Sequence, residues 1–427
     1  MNPIREVLKQ NMNLTEKALC LAKEIGGKNK LNCIAEIDPT AADQAKAMDE
    51  SGNRNLPLFG VPVLIKDNID VRGLHTTAGS LALEDNIAMS DAPIVRNLRR
   101  NGAVILGKTN MTEFANYVTQ DMPGGYSSRG GQVLHAVNPE LDVAGSSSGS
   151  AVAVAAGIVP MAVGTDTSHS ITGCAMFNRI CGLKPPAGVL SAEGIIPIAK
   201  TLDSAGPMAR NLSDTLRLYS AMRDEPLPEL KPKEVSQLRI AVNLANQSMV
   251  SADQEHFLHL LLERLKKAGA AIEDVIQMPP PELVTIMRWE FKPMLEAYLA
   301  GASASRKTLA EIVEYYEDHP DTMMKYGDSY LRAALDETPG GLQGEPYLNA
   351  LEARERTICR VSEEIGEYDA VLMTGPTSIM HFCGLPSVTV ASPVKTAAGV
   401  NQTVILYGQD EYRLYEAALA IEQEMRC

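Results

Sequence analysis

The sequence predicts an α/β protein, a single large domain whose mixed central β-sheet is covered by helices on both faces. Three observations carry this expectation. Between about residues 58 and 210, short apolar runs alternate with Ala-rich or charged helical segments. Those runs lack the apolar-polar alternation of a half-exposed sheet, so they read as strands buried on both faces. The 427 residues, 45% hydrophobic and 22% charged, also supply enough apolar material for a sizeable core.

Taken in order, residues 1–50 read as helical and polar, with a charged helix over 41–51 that stops near Gly52. The run 58–65 is apolar and β-branched, as a buried strand is. A helix over 93–101, a strand over 103–106, a small-residue helix over 150–157 and a strand over 161–165 follow. Beyond residue 213 the helices lengthen, at 213–223, 254–268, 281–300 and 347–366. Strands at 238–242 and 370–373 keep this part tied to a sheet. Two more strands, 386–393 and 402–407, precede a closing helix over 411–425. The expected organisation is one domain over 1–427, with an N-terminal helical segment (1–55), a core (56–212), and a helical covering with the remaining strands (213–427).

Composition excludes several functions. With 39 Lys and Arg against 53 Asp and Glu, the net charge of −14 repels polyphosphate backbones, so nucleic acid is not expected as a partner. The first ten residues hold Arg5, Glu6 and Lys9 before any apolar run, and the weakly polar stretch 151–164 is too short to span a bilayer, so a cytoplasmic protein without membrane contact is expected. Seven scattered cysteines without a C-x-x-C pair argue against a disulfide framework and a structural zinc. His256 and His259 fall one turn apart on an amphipathic helix and read as surface or packing residues.

Three patterns compete for the chemistry. Residues 102–109 (GAVILGKT) match a phosphate loop letter for letter, yet the middle residues are themselves the strand, whose ladder would consume the amides that a phosphate needs. Residues 145–149 (GSSSG) match a nucleophile elbow centred on Ser147, with His256, His259, His319 and His381 downstream. The preceding NPELDVA, however, is polar and broken by proline where the elbow needs a buried strand. The third pattern is the ordered set GVPVLIKDNID (60–70), TTAGS (76–80), GKTNM (107–111), SSRGGQ (127–132), AGSSSGS (144–150), GTDTSHS (164–170), CGLKP (181–185) and LDSAGPMAR (202–210). In these motifs the chain resembles the amidase signature family of serine amidases, strongly over about residues 40–215 and more weakly beyond. SSRGGQ and WEFK (289–292) lean toward the peptide amidase branch.

The residues themselves allow such chemistry. Lys66 closes an apolar strand, where burial disfavours the ammonium and moves the amine toward a usable base. Asp67, its neighbour, should project to the opposite face. Ser146 and Ser170 lie in two Gly/Ser-rich turns separated by one short helix and one strand, a unit that brings both turns to one sheet edge. The resemblance implies that Ser170 is the acyl-forming nucleophile, Ser146 a bridging serine next to a non-proline cis peptide, and Lys66 the base. It further implies backbone oxyanion donors at Thr167, Ser168 and His169 together with Ser170 itself, supported by Asp166 and Ser147. Asp203 and Arg210 look like scaffold around the site and not catalytic groups, with a structural turn and salt bridge as the plainer reading.

The chain departs from the family where Ser168-His169 replaces the usual Gly-Gly, where Thr172 replaces arginine, and at Cys174, Asn178 and Arg179. The added Cβ atoms restrict the backbone around the oxyanion donors. The expected function is hydrolysis of a small-molecule carboxamide to an acid and ammonia or an amine, without cofactor or metal, in a chain that could form a homodimer. Alternatives are an amidotransferase subunit releasing ammonia for a partner, a weakly active amide-binding homologue, and an esterase using Ser147.

Overall fold

The computed structural model describes residues 14–247, 251–278, 280–395 and 401–425. Among the described residues thirteen strands occur in chain order: β1 (Ile34–Ile37), β2 (Pro62–Lys66), β3 (Val104–Thr109), β4 (Tyr126–Ser127), β5 (Gly131–Gln132), β6 (Met161–Asp166), β7 (Cys181–Lys184), β8 (Ser204–Ala209), β9 (Arg239–Asn243), β10 (Ala271–Val275), β11 (Ala370–Met373), β12 (Ser387–Lys395) and β13 (Asn401–Tyr407). Eleven form one sheet in the order β1-β3-β2-β6-β8-β7-β12-β13-β11-β9-β10, and β4 and β5 form a small hairpin. The sheet is mixed: β3, β2 and β6 run parallel, as do β11, β9 and β10, while the strands between them pair antiparallel.

Side chains alternate across this sheet with period two, and each face has its own core. From β2, Val63 and Ile65 join the cluster beneath the helices Pro93–Arg100 and Leu212–Met222, whereas Leu64 joins the cluster beneath the helix Ser148–Ala155. At the other end Leu372 and Leu406 pack on one face against the closing helix Glu411–Glu424, and Val371 and Tyr407 pack on the other beneath the long helices Glu282–Gly301 and Glu345–Ile365. Each fully buried Leu, Ile or Val in such a face is worth about 1.5–3 kcal/mol. Helices cover both faces, as the sequence predicts.

Several boundaries shift and some elements were not foreseen. The helix expected over 41–51 is Ala41–Ser51, closed by Gly52 at φ 64°. Residues 1–50 are not all helical: β1 adds to the edge of the sheet antiparallel to β3, and at four half-buried residues it is too short to show a period. Residues 1–13 of that segment lie outside the described residues. The expected strand 58–65 begins only at Pro62, after Gly60 turns the chain at φ 67°. The segment 203–210, read as a turn, carries β8, whose Gly and Pro hid a six-residue buried strand. Among the described residues no helix is long and apolar enough to cross a membrane.

Candidate active site

Topology places the site. β2 and β6 are parallel neighbours, with Val63 opposite Met161 and Ile65 opposite Val163, so Lys66 and Asp166 end adjacent strands on the same sheet edge. The helix Ser148–Ala155 enters between them, and Ser146 and Ser147 sit at its start. Two glycines permit this approach: a Cβ on Gly149 would lie 2.1 Å from the Asn110 carbonyl oxygen, and one on Gly164 would lie 2.7 Å from Ser147 Oγ. The Ser147 amide donates to the Ser170 carbonyl at 3.3 Å, tying the two Ser-rich turns together. The peptide bond between Gly145 and Ser146 is cis, at the position the family resemblance implies.

Lys66, Ser146 and Ser170 form one hydrogen-bonded chain. Lys66 Nζ donates to Ser146 Oγ at 2.7 Å, and Ser146 Oγ donates to Ser170 Oγ at 3.0 Å. Lys66 Nζ also reaches Ser147 Oγ at 3.0 Å, Thr165 Oγ1 at 2.8 Å and the Thr165 carbonyl at 3.3 Å. Lys66 has no exposed surface, and its hydrogen-bond partners are hydroxyls and one carbonyl. Burial therefore lowers its pKa to about 7, against weaker opposing pulls from Cys174, Asp166 and Asp203. Asp67 turns to the other face, where it accepts from the Thr77 hydroxyl and the Gly79 amide. Ser170 keeps 6% of its surface exposed while Ser146 and Ser147 keep none.

Asp166 organises the nucleophile turn. Its Oδ1 accepts from the Ser170 amide at 2.9 Å, and its Oδ2 accepts from the amides of Ile171 and Thr172 at 2.8 and 3.1 Å. Burial alone would raise its pKa, but His381, His169 and the Ile171 amide hold the carboxyl well below the usual range. His381 Nε2 lies 3.1 Å from Asp166 Oδ1 and 3.0 Å from the His169 amide nitrogen. The His169 ring packs edge-on against His381 at 4.4 Å, and burial together with His381 lowers its pKa to about 3. His169 has φ 72°, a left-handed conformation that glycine would adopt freely. Holding it there costs about 1–3 kcal/mol that a glycine at this position would not incur.

The expected donors on this turn divide. The amide of Ser170 is committed to Asp166. The amides of Thr167 and Ser168 precede it, and that of His169 faces the His381 ring. Thr165 and Thr167 line a cleft of about 660 Å³, with Asn68 and Asp203 beside them and Ile87 and Tyr298 farther out. Ser170 itself is not among its lining residues. Asp203 is not in a salt bridge with Arg210: its Oδ1 accepts from the Thr167 hydroxyl at 2.5 Å, its Oδ2 accepts from the amides of Ile198 and Ala199, and burial pushes its pKa up to about 7. The charge acting on Arg210 is that of Asp214.

The competing motifs fare differently. Lys108 and Thr109, in the phosphate-loop match, are buried residues of β3, where Lys108 Nζ donates to the His75 carbonyl and to Thr76 Oγ1. Ser147 Oγ donates to the Thr165 carbonyl at 3.0 Å and accepts from Lys66 and the Thr165 amide; the segment before it is not a strand. His256 and His259 lie on Ala252–Lys267, and His319 follows Leu309–Asp318, all outside the cluster; His381 joins it through Asp166 instead of Ser147. Sequence reasoning offered His381 only as a partner for Ser147 and did not single out Thr165. His381 stands 212 residues from His169, and no local spacing links them.

Known proteins share this arrangement of chain. The family model for amidases matches residues 17–394. A probable amidase of Arabidopsis thaliana is 29% identical over 438 residues, which span 92% of this chain and 83% of the plant protein. The A subunit of the glutamyl-tRNA(Gln) amidotransferase of Exiguobacterium sibiricum is 28% identical, over 92% of this chain and 90% of its own. The solved structure of native peptide amidase from Stenotrophomonas maltophilia superposes with a TM-score of 0.88 at 29% identity, covering 98% of this chain and 95% of that one.

Proposed function

The chain belongs to the amidase family, and from that premise we propose that it hydrolyses a linear carboxamide through an acyl-Ser170 intermediate. The observation that carries this reading is the unbroken chain from Ser170 Oγ through Ser146 Oγ to Lys66 Nζ. With its pKa lowered to about 7, Lys66 is half neutral near neutral pH, and the chain of donors then reverses. Ser170 passes its proton to Ser146 as Ser146 passes its own to Lys66, and the Ser170 oxygen adds to the amide carbonyl. The amides of Thr167 and Ser168 receive the developing oxyanion, since that of His169 is taken by His381 Nε2. Collapse breaks the C–N bond, and the proton held at Lys66 returns through Ser146 to the departing amine. Water, activated by the same relay, then releases the acid and restores Ser170. Ser147 and Thr165 keep the Lys66 amine aimed at Ser146, and Asp166 keeps the Ser170 turn in shape. Buried free thiols at Cys33 and Cys174 support a cytoplasmic setting for this chemistry.

The likeness to peptide amidase supports a peptide amide as the substrate, entering by the cleft beside Thr165 and Thr167. The likeness to an amidotransferase subunit supports a second reading, in which the ammonia passes to a partner protein. A serine-directed fluorophosphonate, followed by peptide mapping, tests the first reading: label is expected on Ser170, and label on Ser147 overturns it. Co-purification with a tRNA-handling subunit, together with glutamine-dependent turnover only in that complex, would instead establish the second.

A further inference from the structure

Two polar side chains on the wall of the cleft lack the partners that their setting calls for. After β2 the chain turns over 66–69 and pairs with the segment 194–196: the Asp70 amide donates to the Gly194 carbonyl and the Ile196 amide to the Asn68 carbonyl, both at 2.8 Å. Ile69, between them, is buried in the core beneath Pro93–Arg100, whereas Asn68 and Asp70 line the cleft. Asn68 is 2% exposed. Its Nδ2 donates to Thr165 Oγ1 and to the Ile196 carbonyl, both at 3.1 Å, which leaves Oδ1 as an acceptor with no hydrogen-bond partner among the described residues. Such an orphan carries a cost that a donor on a ligand would relieve.

Asp70 is the second. Its Oδ1 accepts from the Tyr298 hydroxyl at 2.7 Å, and no cation lies within ion-pair reach of it among the described residues. Burial raises its pKa against the pulls of Tyr298, Lys108 and Thr76. The other carboxylates of the cleft are differently placed. Asp91 meets Arg99 at 3.0 Å, Asp203 accepts from Thr167 and two amides, and Glu193 is exposed. Lys200, also exposed, is the one cation among the described lining residues. Such a wall repels a carboxylate and gathers an ammonium.

We infer that the cleft takes the acyl half of a short peptide amide with a free amino end, Asn68 Oδ1 accepting the N–H next to the scissile carbonyl and Asp70 holding the terminal ammonium. The order follows distance from the base. Asn68 touches Thr165, whose hydroxyl accepts from Lys66, and Asp70 lies two residues farther along the chain. Tyr298, itself receiving a hydrogen bond from Asn86 Nδ2 at 3.1 Å, steadies Oδ1. Gly194 keeps the approach to Oδ2 clear, since a Cβ there would lie 3.2 Å from it. Ile87, Met89 and Met294 line the same cleft and suit an apolar side chain on the residue that bears the carboxamide.

The inference rests on hydrolysis through acyl-Ser170, and the test separates the two. Ammonia release is followed for alanyl-leucinamide, for propionyl-leucinamide, which lacks only the amine, and for alanyl-leucinamide methylated on the leucine nitrogen. The wild type should favour the first over each of the others by about tenfold or more in kcat/KM. Asp70→Asn keeps an acceptor for Tyr298 but not the charge, and should bring the first pair to within about threefold of each other, through KM. Asn68→Ala should do the same for the methylated pair. Thermal unfolding checks both variants, and the wild-type comparison stands without them. Equal rates on all three substrates, preference for the propionyl compound, no turnover of any, or selectivity retained in the folded variants would each overturn the inference, while fluorophosphonate label on Ser170 would leave the acyl-serine reading standing. A wild type that takes no label at Ser170 would remove the nucleophile itself, and the function proposed above would fall with it.

Discussion

Two lysines on neighbouring strands, both without exposed surface, come to opposite ends. Lys66 closes β2, and Lys108 lies on β3 opposite Ile65. Because successive strand residues face opposite ways, Lys108 shares the face of Ile65 and of the residue after Lys66, Asp67, while Lys66 faces the serines. Lys108 Nζ lies 3.8 Å from Asp67 Oδ1, and Arg129 lies 4.0 Å from the other oxygen. Lys66 has only hydroxyls and a carbonyl within hydrogen-bond reach. Burial lowers the pKa of both, but Asp67, Asp70 and Glu36 pull that of Lys108 back up. Burial alone does not make a base. The missing counter-ion does, and one residue of strand period separates the two outcomes.

The comparison breaks first at the nucleophile and its base. Ser170→Ala should remove turnover and covalent labelling, a loss on the order of 10⁴-fold or more. Lys66→Met, which keeps an apolar stem of similar length, should lower kcat/KM by roughly 10³-fold with the fold retained. The wild-type pH dependence should have the matching sign. Only the neutral amine accepts a proton, so activity rises with pH through about 7 and levels off above it. Two units below that value the neutral fraction, and with it the rate, should be about one hundredth of the plateau. A flat profile, or an unchanged acid limb in the residual activity of Lys66→Met, would show that another group titrates.

Ser147→Ala offers a finer test. It removes one of the acceptors around Lys66 Nζ and a hydroxyl that bridges to the Thr165 carbonyl and amide. Loss of one aiming hydrogen bond should slow turnover by about tenfold, and the unfilled site should cost about 1–2 kcal/mol in a urea titration. Complete loss of labelling in this variant, with Ser170 intact, would restore the elbow as the reactive turn.

How far the sequence revealed this depends on the distance between cooperating residues. β2, the helix at Ser148 and β6 lie within one α/β unit, and their apolar runs and Gly/Ser turns are visible in the chain. Period two alone placed Asp67 away from Lys66, as the structure has it. What remained hidden was assembled from afar or lacked a pattern. β8 carries Gly206 and Pro207, and β1 is four residues long, so neither shows strand periodicity. The left-handed backbone at His169 was not legible from composition, because nothing in the residue type demands it. The Asp166–His381 contact joins distant parts of the chain, and only the sheet order, with β7 next to β12, brings them together.

The smallest effect on chemistry, and the sharpest on the comparison, belongs to Lys108→Met. If Lys108 is a structural cation, its removal leaves Asp67 buried with Oδ1 lacking a hydrogen bond and its nearer cation gone. That should cost about 3 kcal/mol of stability, read as a lowered urea midpoint at unchanged slope. Asp67→Asn combined with Lys108→Met should recover most of the loss, because the uncompensated charge has gone too, and the coupling between the two substitutions should exceed about 1 kcal/mol. Turnover at the plateau should stay within about threefold of wild type, and the acid limb near pH 7 should not move, since Lys108 faces away from Ser146. A displaced limb would mean that the charge on Lys108 reaches Lys66 through the sheet, and the two lysines would then have to be treated as one coupled pair.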